Sequence, residues 1–263
     1  MSERSMKDKK VAIVTGGIKG TGRAILERFV AQGVDVVTNF RKDVATAEAF
    51  QKEFSDKKAK VHVIQADLGE EASIHKLFDF VKEHYGHLDY YIANAAATAF
   101  KPLLEIKPHH IEKTFAITVI SFVAGCQQSA ELMKDRRGKI VAISGLDTHT
   151  YLPRHGVLGA AKSALETLVM YFAVELAPLQ INVNAVNPGF LATTSTRIYM
   201  GSEFETIKAA NLELTPRGRV TDGSDVADIV MFLCSDQADW ICGQTIRADG
   251  GLSHIQPAVH PSH

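Results

Sequence analysis

The feature that most constrains this chain is the alternation of short apolar runs with longer amphipathic stretches. The runs are VAIVTG from Val11, VDVVTNF from Val34, VHVIQAD from Val61, LDYYIANAA from Leu88, KIVAIS from Lys139, INVNAV from Ile181 and QTIRADGG from Gln244. Most are nearly continuous in apolar and β-branched residues, as expected of parallel strands covered on both faces. Amphipathic segments at 23–32, 45–55, 71–85, 111–134, 160–176 and 224–235 fill the intervals. Right-handed crossovers leave few topologies for such a pattern. The expectation is an α/β fold, a doubly wound parallel sheet of about seven strands with helices on both faces.

A length of 263 residues suits one large domain, drawn here over 1–263, and neither a repeat nor a low-complexity linker interrupts it. The exception is 190–219, which follows a Pro-Gly and lacks clean strand character; long insertions of this kind often cover substrates, so a lid is expected there. Residues 253–263 form a C-terminal tail whose His254, His260 and His263 are too scattered to predict a metal site. The net charge of −1 gives no electrostatic case for nucleic acid or an anionic membrane. There is no uninterrupted apolar run of about 18 residues to suggest a membrane span. The polar MSERSMKDKK start lacks the apolar core of a signal peptide, so a cytoplasmic address is expected. Cys126, Cys234 and Cys242 show no metal-ligand spacing and are expected to be buried free thiols.

The first run ends in TGGIKGTG, Thr15 to Gly22, directly before a helical pattern. Gly16, Gly20 and Gly22 permit a tight turn and let a pyrophosphate approach the free amides of a helix N-terminus. At the end of the second run an NAD site usually carries an acid for the ribose 2′-hydroxyl. Here stand Asn39, Phe40, Arg41 and Lys42, with no acid before Asp43 and with Lys19 in the glycine loop. Cations without a carboxylate favour a 2′-phosphate, hence NADPH.

Over about residues 10–252 the chain resembles the short-chain dehydrogenase/reductase family, whose fold is of the Rossmann type. The resemblance is carried by TGGIKGTG, Asp67 after the third run, the ANAA stretch around Asn94, NPG at 187–189 and the terminal DGG. It implies Asp67 and Leu68 beside the adenine and Asn94, Ala95 and Ala96 at the adenosine ribose. It also places Pro188 and Gly189 in the cofactor site and Thr193 at the nicotinamide carboxamide. Asn94 has a second reading, as a residue that ties neighbouring strands together.

The family's usual catalytic set is a Tyr four residues before a Lys, with a Ser further upstream. Lys162 in GAAKSALETL fits the Lys, which would hold the nicotinamide ribose and place positive charge beside the reacting oxygen. The Tyr position is Leu158, the Ser position is Gly145, and the helical Asn that often completes the set corresponds to Ala116. A related branch, the NADPH-using enoyl-acyl-carrier-protein reductases, spaces its Tyr seven residues before the Lys, and the stretch from Thr150 to Pro178 resembles it. At that spacing stands His155. Three readings stay open. His155 donates a hydrogen bond or proton to an enolate oxygen; or Tyr151 supplies the phenol; or neither does, and Lys162 acts with the cofactor ribose alone. Asp147, His149 and Arg154 share this loop without an assigned role, and Tyr199, Met200 and Phe204 fall in the expected lid.

The resulting expectation is an NADPH-dependent reductase of an α,β-unsaturated thioester or related conjugated carbonyl, acting on a small-molecule or carrier-bound acyl substrate in secondary metabolism such as polyketide synthesis. Leu158 and Gly145 count against an ordinary ketoreductase or alcohol dehydrogenase; a catalytically silent NADP-binding scaffold is the other alternative. The resemblance of 111–134 and of the helix after Lys162 to the family's interface pair, with the apolar LVMYFAVEL, implies a homotetramer or homodimer.

Overall fold

The computed structural model describes residues 9–255. The seven apolar runs form the strands β1 (Val11–Val14), β2 (Asp35–Phe40), β3 (Val61–Gln65), β4 (Tyr90–Ala93), β5 (Lys139–Ile143), β6 (Asn182–Pro188) and β7 (Thr245–Ala248). They make one sheet in the order β3-β2-β1-β4-β5-β6-β7, parallel throughout. The helices are α1 (Gly20–Ala31), α2 (Val44–Glu53), α3 (Glu71–His84), α4 (Pro108–Phe115), α5 (Ser121–Leu132), α6 (Gly156–Leu176), α7 (Thr194–Met200), α8 (Phe204–Leu214) and α9 (Gly223–Leu233).

Successive strand residues point to opposite faces, so each apolar run feeds two cores. Val11, Ile13, Val37, Tyr91, Ile140, Ala142, Val183 and Ala185 meet one face's helices through Leu77 and Phe78 of α3, Phe122 of α5 and Leu165 of α6. Ala12, Val14, Val36, Tyr90, Ile92, Val141, Ile143 and Val186 meet the other face through Leu26 and Phe29 of α1, Phe50 of α2 and Val230 of α9. This two-sided burial is why the runs are continuous in apolar residues. Because β1 pairs with β2 on one side and β4 on the other, the winding reverses beside β1 and a crevice opens past the strands' C-terminal ends.

Three sequence readings change in detail. The helix expected over 111–134 is two helices, α4 and α5, joined by a π-turn at Ala116–Ile120. Residues 190–219 carry α7 and α8, and β6 is followed by a single bridge from Leu191 to Thr221. Of the three free cysteines, Cys126 and Cys234 are buried but Cys242 is only half-buried. The helix α6 is long and apolar enough to cross a bilayer by length and composition, yet here Val157, Ala161, Leu165, Val169 and Ala173 form a buried stripe at four-residue spacing. His260 and His263 of the expected tail lie outside the described residues.

Gly125 shows how closely α5 is seated. A Cβ there would fall on the ring of Tyr91, 2.5 Å from its Cε1, and Tyr91 is fully buried. Gly125→Ala is therefore expected to destabilise the fold by about 1–3 kcal/mol through overpacking. Urea denaturation checks this, with a lower midpoint at an unchanged slope as the expected result.

Candidate active site

The crevice is a cleft of about 620 Å³ lined from the glycine turn to the N-terminal half of α6. Its first wall is held by the strands beneath it. Thr38 of β2 donates to the Val14 carbonyl (2.7 Å) and accepts from the Gly17 amide (2.9 Å), while Asn39 accepts from the Gly16 amide (2.9 Å) and donates to the Ala66 carbonyl (2.9 Å). Gly16 and Gly20 adopt φ values of +65° and +57°, which a side chain disfavours. At Gly22 a Cβ would meet Asn94 Nδ2 at 2.5 Å. The turn thus brings the start of α1, with its free amides, to the cleft edge, a cradle suited to a dinucleotide's pyrophosphate.

Lys19, Arg41 and Lys42 line the same end. Asp43 lines it too, but its carboxylate caps α2, accepting from the Thr46 amide (3.0 Å) and hydroxyl (2.6 Å). Asn39 is likewise committed to the backbone. The end of β2 therefore presents cations and no carboxylate free to take a ribose diol.

At the other end Lys162 is buried under the strand tips, and its ammonium donates to the Ile143 carbonyl. Burial lowers its pKa to about 8, against the charges of Asp147 and Glu166, which raise it. Glu166, one turn along α6, accepts from Ser144 (2.5 Å), Asn187 (2.8 Å) and Thr148 (3.3 Å), which ties the ends of β5 and β6 to the helix. His155 precedes α6, buried, with Nδ1 3.1 Å from Asp147 Oδ2. Its Nε2 is shielded from solvent and has no partner among the described residues. The imidazole lies against Phe100 and Tyr199, at 4.9 and 5.0 Å between centroids, and those two rings stack at 4.1 Å. Burial, with the charge of Asp147, pushes the Tyr199 phenol up to about 12, so it stays protonated.

The family model described as enoyl-(acyl carrier protein) reductase matches residues 16–253. The chain belongs to the short-chain dehydrogenase/reductase family. It is 36% identical to 1-cyclohexenylcarbonyl-CoA reductase of Streptomyces collinus, over 95% of this chain and 89% of that protein. It is 31% identical to a versicolorin reductase of Emericella nidulans, over 95% of this chain and 98% of that protein. A short-chain dehydrogenase from Burkholderia cenocepacia, solved in complex with NADP, superposes with a TM-score of 0.85 at 26% identity, covering 93% of this chain and 98% of that one. The protein is an oxidoreductase of this family, and its cleft suits a nicotinamide cofactor.

The structure gathers Gly16, Lys19, Gly20, Gly22, Arg41, Lys42, Asp67, Leu68, Asn94, Ala95, Ala96, His155, Lys162, Pro188, Gly189 and Thr193 along this one short-chain dehydrogenase cleft. Asn94 Nδ2 is spent on the Thr15 carbonyl (2.9 Å), so its strand-tying reading describes at least half of the side chain. The Thr193 hydroxyl caps α7 through the Thr196 amide (3.2 Å). Tyr151 is a correction: it is 87% exposed and outside the cleft lining, because the chain turns between it and His155 through a left-handed Arg154. The phenol in the cleft is instead Tyr199 of α7. Phe204, which falls in the expected lid, is buried against Phe190 and the Arg197 guanidinium.

Asp147, Glu166 and Phe100 are the site neighbours without an assignment from sequence. Gly145 and Gly159 were the available signal for Asp147, since a Cβ at either would strike it: Oδ1 at 2.5 Å from position 145, the carbonyl oxygen at 2.5 Å from position 159.

Holding Lys162 protonated out of water costs stability that a neutral amine would not. Below about pH 8 folded and unfolded chains both carry the proton and the full cost applies. Between about 8 and 10.5 only the unfolded chain keeps it, so stability contributed by this group rises with pH. Compared at each pH by chemical denaturation, Lys162→Met is expected to lack this rise, closing the gap to the parent by roughly 2 kcal/mol from pH 7.5 to 9.5.

Proposed function

We propose that this protein is an NADPH-dependent reductase of an α,β-unsaturated thioester or related conjugated carbonyl. The observation that carries the reading is the imidazole seven residues before Lys162, in the cleft lining, with Nδ1 held and Nε2 without a partner among the described residues. The position four residues before Lys162, where a ketoreductase needs its phenol, is the apolar Leu158.

Lys19, Arg41 and Lys42 are suited to a 2′-phosphate, and the Asp43 carboxylate, whose oxygens accept from Thr46, is not offered to a ribose diol. Bound there, the reduced nicotinamide supplies a hydride. Negative charge then grows on the substrate's carbonyl oxygen as the β-carbon is reduced. Protonated His155 donates to that oxygen through Nε2–H, and the Lys162 ammonium adds positive charge where little water screens it. Leu152, Leu158 and Tyr199, the last backed by Phe100, give the reacting end an apolar wall, with α7 as its cover; this suits a hydrocarbon or ring next to the conjugated carbonyl. The relatives named for reduction of a cyclohexenylcarbonyl-CoA and of a versicolorin support a substrate from specialised metabolism.

The test is NADPH oxidation, followed by absorbance, with crotonyl and cyclic enoyl thioesters of coenzyme A and of a carrier protein. Turnover that exceeds that on simple ketones and collapses in Lys162→Ala is expected. Arg41→Ala with Lys42→Ala is expected to weaken NADPH at least tenfold more than NADH. NADPH binding without turnover of any conjugated carbonyl would overturn the reading in favour of a silent cofactor-binding protein.

Met170, Tyr171 and Val174 leave an apolar face of α6 exposed at 51%, 59% and 73%, with Ile120 at 50% before α5. This face supports assembly as a homodimer or homotetramer. A solution mass of two or four chains by light scattering is the expected outcome, and a single-chain mass at micromolar concentration would refute it.

A further inference from the structure

We propose that Asp147 is the positioning residue for His155, and that the two form a carboxylate–imidazole pair built into the space opened by Gly145 and Gly159. The inference rests on His155 being the donor in the reaction proposed above.

Three independent features place the pair. The Asp147 carboxylate is 3.1 Å from His155 Nδ1, and both side chains are about nine-tenths buried, at 6% and 11% exposure. Gly145 is the second feature. Its backbone is extended, at φ −161°, so no left-handed turn demands a glycine. A Cβ there would stand 2.5 Å from Asp147 Oδ1, so the carboxylate occupies the volume a side chain at 145 would fill. Third, Gly159 on the first turn of α6 lets the Asp147 backbone reach the helix, since a Cβ would lie 2.5 Å from its carbonyl oxygen. Two glycines with no conformational need thus clear room for one acid.

The chemistry follows from what a carboxylate can do. It only accepts hydrogen bonds, so His155 must carry its proton on Nδ1. Any second proton sits on Nε2, the nitrogen without a partner among the described residues. In the reductive step the Nε2–H bond breaks and an O–H bond forms on the substrate's enolate oxygen. The ring returns to neutral with Nδ1–H still held by Asp147, while a hydride from NADPH has formed the new C–H bond at the β-carbon. Asp147 fixes the ring's orientation and offsets the positive charge of the protonated state, and does not itself exchange a proton.

The test has a turnover arm and an arm independent of turnover. In the full chain labelled with ¹⁵N-histidine, NMR of His155 is expected to show Nδ1 protonated near neutral pH, with that preference lost in Asp147→Ala and in Gly145→Ala. In the thioester assay, Asp147→Ala and His155→Gln are each expected to lower kcat at least tenfold, with NADPH affinity kept within about threefold as the check on folding. The double variant is expected to be no slower than His155→Gln alone, because partners in one unit are not additive. An unprotonated Nδ1 in the parent overturns the inference, as do penalties that multiply in the double variant. Full activity in Asp147→Ala alongside a crippled His155→Gln would overturn the positioning role and leave the donor role standing. Absence of turnover in the parent would overturn the reductase reading, and the NMR arm would still decide the pair.

Discussion

The site depends on keeping one ammonium, that of Lys162, out of water. The cost is set against packing: Lys162 lies among Ala161, Leu165 and Val169, the buried stripe that seats α6 on the sheet. It is reduced by the Ile143 carbonyl, which accepts from the ammonium, and by the nearby charges of Asp147 and Glu166. The same helix therefore anchors the core and delivers a cation to the tips of β5 and β6. A charge held this way acts in a medium of low dielectric, where it stabilises a developing anion more than any surface lysine could.

Around that cation the protein arranges its two acids differently. Glu166 faces the strands and gathers Ser144, Thr148 and Asn187 into a hydrogen-bonded brace. Asp147 faces the cleft and takes His155. At the far end a third carboxylate, Asp43, caps α2 beside the cations Lys19, Arg41 and Lys42. The cleft is thus polarised by where acids are tied down as much as by which residues line it.

Much of the fold was legible because its rules are periodic. All seven strands came from the apolar runs, and α1, α2, α3, α6 and α9 followed from amphipathic spacing with ends displaced by a few residues, whereas α7 and α8 lie in 190–219, where no helix was read. The π-turn at Ala116–Ile120 was not legible: a π-turn adds one residue to a turn, and the apolar pattern of 111–134 runs through it without a glycine or proline to mark the break. In the site, the glycine turn and Lys162 sit at fixed offsets on regular elements, so their convergence could be read. Tyr151 and Asp147 sit on an irregular loop, where a left-handed Arg154 reverses the chain and spacing no longer reports direction.

What the sequence by itself determined is therefore what depends on local periodicity and fixed offset: a doubly wound sheet, a glycine-rich turn at a helix start, a lysine on a buried helix face, and an imidazole seven residues before that lysine. Only the tertiary structure decided which side chains share that imidazole's surroundings. Tyr199, Phe100 and Asp147 reach it from three separate segments, and Tyr151, four residues from it in the chain, points to solvent. The physical reason is that backbone hydrogen bonding propagates along an element, whereas contacts across a cleft are set by how whole elements pack, which no local pattern encodes.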